Sequence, residues 1–254
     1  MIQIRNVRHA IQGTEILSET TLAIPAGKIT ALIGPNGAGK STLLSLMGRL
    51  QPLGEGAISI DDLDVSATPT DTLARKVAIM TQKQHLGSRL RVGELVGFGR
   101  WPHHKGRPGP ADHAMIEQAL DEMDLSDMRH RFIDSLSGGQ QQRAFLAMAR
   151  AQDTDWLFLD EPINNLDMAH AGKLMRQLDA LRRAGKSIVI VLHDVNYAAC
   201  WADHIIAMKD GAVRHEGAPE EVLTKANIHG LYGIDVEVTT INGKLMVLHH
   251  LGEA

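Results

Sequence analysis

The sequence predicts an α/β fold: a parallel sheet with antiparallel strands at its flank and a helical segment inserted into it. Three observations support this. The apolar runs ITALI (29–33), WLFL (156–159) and SIVIVL (187–192) each have the length of a buried strand, and helical patterns separate them. The stretches DGAV (210–213) and DVEVTTINGKLMVL (235–248) carry Asp-Gly and Asn-Gly turns of the kind that close hairpins. Between about residues 84 and 153 no run of the buried-strand type occurs, and HAMIEQALDEM (113–123) instead has the period of an amphipathic helix, after the Pro/Gly-rich WPHHKGRPGP.

Taken in order, the opening forty residues and AISI (57–60) read as shorter strands joined by turns. ITALI then runs into a glycine-rich loop and a helix. In SLSGGQQQRAFLAMARA (135–151), Ser137 followed three places on by Gln140 forms a capping-box pattern, and Phe145, Met148 and Ala149 recur at helical spacing. A helix therefore starts here. Gly138 and Gly139 put no side chain over its first unpaired N–H groups, so this end can receive an anion. The organisation expected is one domain over 1–254, with its core in 1–83 and 154–254 and a helical insertion over 84–153.

Composition narrows the function. The chain has 254 residues, 44% of them apolar, which is enough for a substantial core. Its 26 basic and 30 acidic residues give a formal charge of −4 with no basic run, so nucleic acid is not expected as a partner. Cys200, the single cysteine, excludes an internal disulfide and a thiolate metal site, and a reducing compartment fits best. The start MIQIRNVRHA lacks an apolar segment of signal length, and no window has the run needed to cross a bilayer. The thirteen histidines, including the neighbours His103 and His104 and the pair His249 and His250, read as surface residues rather than metal ligands.

The most specific signal is ITALIGPNGAGKSTLLSLMG. Gly34, Gly39, Lys40 and Ser41 satisfy G-x-x-x-x-G-K-[ST] between a strand and a helix. Such a loop, Gly34, Pro35, Asn36, Gly37, Ala38, Gly39, Lys40, Ser41 and Thr42, wraps nucleotide phosphates with its N–H groups. Lys40 reaches the outer two phosphates, and the Ser41 hydroxyl can ligate Mg²⁺. WLFLDEP ends a buried strand in Asp160 and Glu161, the place where open α/β sheets bind ligands. Asp160 is expected to hold Mg²⁺ and Glu161 to polarise the hydrolytic water. His193 ends the SIVIVL strand, where it can sense the γ-phosphate.

With these motifs in this order, the chain resembles the nucleotide-binding subunit of an ATP-binding-cassette (ABC) transporter over nearly its whole length. The resemblance implies a P-loop NTPase core of the RecA type. GPNGAGKST resembles the family's Walker A, Gln82 in IMTQKQ its Q-loop, LSGGQQQR (136–143) its signature, LFLDEP its Walker B, NNLD (164–167) its D-loop and His193 its switch histidine. It implies Gln82 as a further Mg²⁺ ligand and catalytic residue, beside Lys40, Glu161 and His193. It also implies a homodimer in which Ser137, Gly138, Gly139 and Gln140 of one copy meet the γ-phosphate held by the other, with Asn164 and Asp167 at the interface. The expected substrate is ATP.

Two departures from that pattern are visible. The family stacks an aromatic ring on adenine from its first strands, whereas NVRHAIQGTEIL (6–17) has no Phe, Tyr or Trp, which leaves His9 for that place. The D-loop usually begins with serine, and here Asn164 stands near that position. Within the family, LRVGELVGFGRWPHHKG (90–106), INNLDM and LYGIDVEV (231–238) resemble importers of ferric siderophores, haem and cobalamin. That narrower resemblance implies uptake of an iron chelate, an integral membrane permease, an extracytoplasmic solute-binding protein and a peripheral place on the cytoplasmic face of the membrane. An exporter, often fused to its membrane domain, and a soluble ABC ATPase acting on nucleic acid or ribosomes are the alternatives. The second of these predicts a coiled-coil insertion, a second cassette or a basic face, and the sequence has none.

Overall fold

The computed structural model describes residues 1–82 and 89–248. They fall into two compact units, Met1–Thr68 with the chain from Gln177 on, and Pro69–Arg176. The first unit opens with β1 (Ile2–Ile11), β2 (Thr14–Ile24), β3 (Ile29–Ile33), α1 (Lys40–Met47), β4 (Glu55–Ile60) and β5 (Leu63–Asp64). The second holds α2 (Thr70–Lys76), β6 (Val77–Met80), α3 (Val92–Phe98), α4 (Trp101–His104), α5 (Pro110–Glu122), α6 (Gly138–Ala151) and β7 (Trp156–Asp160). Helix α7 (Met168–Arg183) leads back to β8 (Ser187–Val191), α8 (Val195–Trp201), β9 (His204–Lys209), β10 (Ala212–Gly217), α9 (Pro219–Val222), α10 (Lys225–Tyr232), β11 (Glu237–Ile241) and β12 (Lys244–Leu248).

In the first unit β3 pairs in parallel with β8 on one side and β9 on the other, and β10 adds antiparallel to β9. Every residue of β3 and β8 is buried, as continuous apolar runs covered on both faces require. A separate antiparallel sheet runs in the order β2-β1-β4-β5. Ser18 ties it to the turn after β9, since its N–H and its hydroxyl both donate to the Gly211 carbonyl, at 3.0 and 3.1 Å. The Asn-Gly turn closes the β11–β12 hairpin as expected. The Asn196 amide of α8 both donates to and accepts from the Val247 backbone, at 3.1 and 2.7 Å.

The opening strands are longer than the sequence suggests: β1 has ten residues and β2 eleven. Pairing slips between Ile4 and Val7, where Asn6 sits at φ 50° with its N–H on the Thr21 hydroxyl at 2.9 Å. A bulge of this kind shifts the alternation without ending the strand, so the pattern reads as two short pieces.

The second unit pairs β6 with β7 in parallel and packs α3, α5 and α6 through Val92, Leu95, Ile116, Leu120 and Phe145. Within LRVGELVGFGRWPHHKG, the GRWP stretch (99–102) is a packing device. A Cβ on Gly99 would lie 2.1 Å from the Met148 carbonyl oxygen, so only glycine lets α3 approach α6 this closely. Arg100, buried, donates to the Asp112 carboxylate and to the Ala151 carbonyl, each at 3.0 Å. The Gly109 N–H, with Arg100, holds the Asp112 carboxyl below the usual carboxylate range against the opposing effect of burial.

Candidate functional site

The loop from β3 to α1 keeps its shape through main-chain contacts. Gly34 adopts φ 140°, and a Cβ there would fall 2.0 Å from the Met208 carbonyl oxygen, so no other residue fits beside β9. The Ala38 N–H closes a turn on the Pro35 carbonyl at 3.2 Å, and Gly39 is the N-cap of α1. Lys40 is only 5% exposed, with Nζ donating to the Gly34 and Pro35 carbonyls at 2.8 and 2.9 Å. Asn36 and Gly37 are exposed at the crest, while Ser41 and Thr42 are half-buried in the first turn of the helix. A helix start and a lysine beside a glycine-rich bend form a cradle for phosphate oxygens.

Leu17 and Tyr232, elsewhere in this unit, reach the loop. His9 faces Leu17 across the β1–β2 pair and lines a cavity of about 560 Å³ with Glu15, Pro52 and Glu55. Leu17 in turn reaches the loop: a Cβ on Gly39 would lie 2.6 Å from its Cδ2. Sequence reasoning did not place Tyr232 here. Its hydroxyl is enclosed without a hydrogen bond of normal geometry among the described residues; burial pushes the phenol up to about 12, against the smaller effect of the Gly34 N–H. LYGIDVEV marks this residue, but nothing in that stretch points to a loop so far back in the chain. His193 is exposed between β8 and α8, and its neighbour Asp194 caps α8 by accepting from the Asn196 N–H at 2.8 Å.

In the second unit, Asp160 ends β7 at 5% exposure and Glu161 follows at 6% with φ 53°. The structure brings Gln82, Glu161 and Asn164 together: Gln82 Nε2 and Asn164 Nδ2 both donate to Glu161 Oε2. The Asn164 N–H also donates to the Glu161 carbonyl at 3.2 Å, folding residues 161–164 into a turn. Beyond Gln82 the IMTQKQ stretch, with the first residues assigned to the insertion, lies outside the described residues, as do His249 and His250.

The capping box at α6 forms as the sequence predicts: Ser137 Oγ accepts from the Gln140 N–H at 3.4 Å, and Gln140 Oε1 accepts from the Ser137 N–H at 3.0 Å. Ser137 and Gly138 are exposed, and a Cβ on Gly138 would meet open space. The other two glutamines have separate tasks that the sequence did not disclose. Gln141 Nε2 donates to the Ile133 and Leu136 carbonyls, both at 3.1 Å; Gln142 Nε2 donates to those of Glu161 and Pro162, at 3.3 and 3.1 Å. Asp167 accepts from the His170 backbone N–H at 2.8 Å and from its ring, and these bonds hold its carboxyl below the usual range.

A buried parallel strand, a G-x-x-x-x-G-K-S loop and a following helix define a P-loop nucleotide-binding protein. The family can be stated more closely. The family model described as "ABC transporter" matches residues 17–164, and the chain belongs to that family. It is similar to the petrobactin import ATP-binding protein YclP of Bacillus subtilis (strain 168), 45% identical over 96% of this chain and 97% of that protein. It is also similar to the iron(3+)-hydroxamate import ATP-binding protein FhuC of the same organism, 41% identical over 89% of this chain and 85% of the relative. Among solved structures, a dimeric bacterial ABC transporter cassette superposes with a TM-score of 0.78 at 29% identity, covering 86% of this chain and 99% of that one. The chain is thus an ABC-type ATPase that binds ATP. Among the described residues no helix is long and apolar enough to cross a membrane.

Proposed function

We propose that this ATPase is the energising subunit of an importer for an iron chelate, a ferric siderophore in the first instance. The observation that carries this reading is the 45% identity, across nearly the full length of both chains, to a protein named for petrobactin import. The similarity to an iron(3+)-hydroxamate import protein favours the same class of cargo. The chain acts as one ABC ATPase domain with its helical insertion over 84–153. It sits as a homodimer on the cytoplasmic face of the membrane, beneath permease subunits that take the chelate from an extracytoplasmic binding protein.

The residues divide the chemistry among them. Gly34 to Thr42 cradle the triphosphate, with Lys40 turning from its loop carbonyls to the outer phosphates, and His9 stacks on adenine. Glu161 takes a proton from the attacking water, and His193 contacts the γ-phosphate. Ser41 Oγ, the Asp160 carboxylate and Gln82 Oε1 each offer an oxygen of the kind that Mg²⁺ takes. The Gln82 amide nitrogen is committed to Glu161, which leaves its carbonyl oxygen as the ligating atom. When bound, the ion offsets negative charge on the phosphate oxygens. Ser137 to Gln140 present an open helix start to the nucleotide of the second copy, with Asn164 and Asp167 beside them. ATP thereby holds two copies together, and hydrolysis releases them.

The test is uptake of radiolabelled ferric siderophore by cells that lack this chain and are complemented with it or with its Lys40→Ala variant. Restoration by the native chain alone supports the proposal; equal uptake in all three strains rejects it.

A further inference from the structure

A carboxylate that is to receive a proton from water must be aimed, and one at 6% exposure has little water around it to do so. Glu161 is aimed by amides. Its Oε2 accepts from Gln82 on the segment after β6 and from Asn164 three residues further along its own turn. The turn is itself fixed, because Asn164 N–H closes it onto the Glu161 carbonyl and Gln142, from α6, holds the Glu161 and Pro162 carbonyls. Glu161 lies at φ 53°, a conformation that costs a residue with a side chain unless its surroundings hold it. An asparagine at this place has both groups the geometry uses: a main-chain N–H for the turn and a side-chain N–H that folds back to the carboxylate. A serine has a shorter reach and a single hydroxyl.

We propose that Asn164 is a positioning residue for Glu161, its side-chain amide holding the carboxylate in one orientation together with Gln82. This rests on the reading of Glu161 as the base, and it assigns Asn164 a task within its own chain, separate from any contact it makes with a second copy. Gln82 and Asn164 both donate through neutral amides, which orient a carboxylate through hydrogen bonds and add no formal positive charge themselves. Losing one leaves the side chain free to leave the productive rotamer, a loss that falls on turnover and not on nucleotide affinity.

The test uses the purified full-length chain with Mg-ATP. Asn164→Ala and the isosteric Asn164→Asp, which has no donor to offer, should each lower kcat about tenfold or more while KM for ATP stays within about twofold. Thermal melting establishes that both variants are folded. The same Asn164→Ala change is then placed in a Glu161→Gln background, where no carboxylate remains to be oriented, and it should lower the residual turnover no further. Native kcat in both single variants overturns the inference while leaving Glu161 as the base. A further tenfold loss in the double variant also overturns it, by assigning the effect to something other than the Glu161 carboxylate. Native turnover in Glu161→Gln alone overturns the reading on which the inference rests, and the inference with it.

Discussion

Between β3 and α1 the chain holds its shape with main-chain atoms, whereas after β7 the shape around Glu161 is set by side-chain amides drawn from three separate segments. In the loop, a glycine pressed against the Met208 carbonyl, a turn closed on Pro35 and a lysine folded onto the Gly34 and Pro35 carbonyls leave little choice of residue. Around Glu161, the donors include Gln82, Asn164 and Gln142, any of which another polar residue could in part replace. On the proposed reading, phosphate binding therefore rests on backbone geometry, which few sequences satisfy, and water activation on orientation, which several can supply.

Substitutions in the two regions should act on different steps. The largest effect is expected in the loop: Lys40→Ala should weaken ATP binding about a hundredfold or more by calorimetry, because charge on the outer phosphates goes unmatched. Unchanged affinity would place the phosphates elsewhere. A smaller effect of a different kind is expected at the second region. Gln82→Ala should slow turnover about tenfold or more and weaken ATP binding far less than Lys40→Ala does, by about tenfold at most, since it removes an amide from Glu161 and a proposed Mg²⁺ ligand but leaves the phosphate loop intact. An affinity loss matching that of Lys40→Ala would erase the distinction between the regions.

The smallest effect concerns Tyr232, beside Gly34. Its folded value is raised by burial from 10.0 to about 12, so the stability that goes with the neutral phenol is complete below 10 and is lost as pH climbs from 10 towards 12. The loss amounts to up to about 2 kcal/mol by linkage. Urea titrations at alkaline and neutral pH should show the native chain losing stability more steeply than Tyr232→Phe, with the two nearly alike at neutral pH. Parallel pH profiles would mean that the phenol titrates as it does in the unfolded chain.

What the sequence discloses follows the same division. ITALI and SIVIVL mark buried parallel strands because burial on both faces demands unbroken apolar runs, and β3 and β8 lie where those runs lie. Ser137 and Gln140 mark the start of α6 because a capping box fixes both residue type and spacing. The bulge at Asn6 left no such mark, so β1 read as shorter than it is. Nor could the sequence show that Gln142 and Asn164 converge on the turn at Glu161, because an amide that bonds a distant carbonyl looks like any other polar residue on a helix or loop. Arg100 is intermediate: its motif was visible as a family resemblance, while its partner Asp112 and its role in packing the helical segment emerge only from the fold.

In the proposed dimer, ATP is held by two copies of this chain, with the start of α6 in one copy closing on the phosphates of the other. Hydrogen exchange on the Glu161→Gln variant, with and without Mg-ATP over a range of chain concentrations, tests it most directly. The predicted result is ATP-dependent protection of the Ser137 to Gln140 amides that grows with chain concentration, alongside protection of the loop from Gly34 to Thr42 at every concentration. Protection confined to the loop, with the α6 start exchanging freely even at the highest concentration, would contradict it.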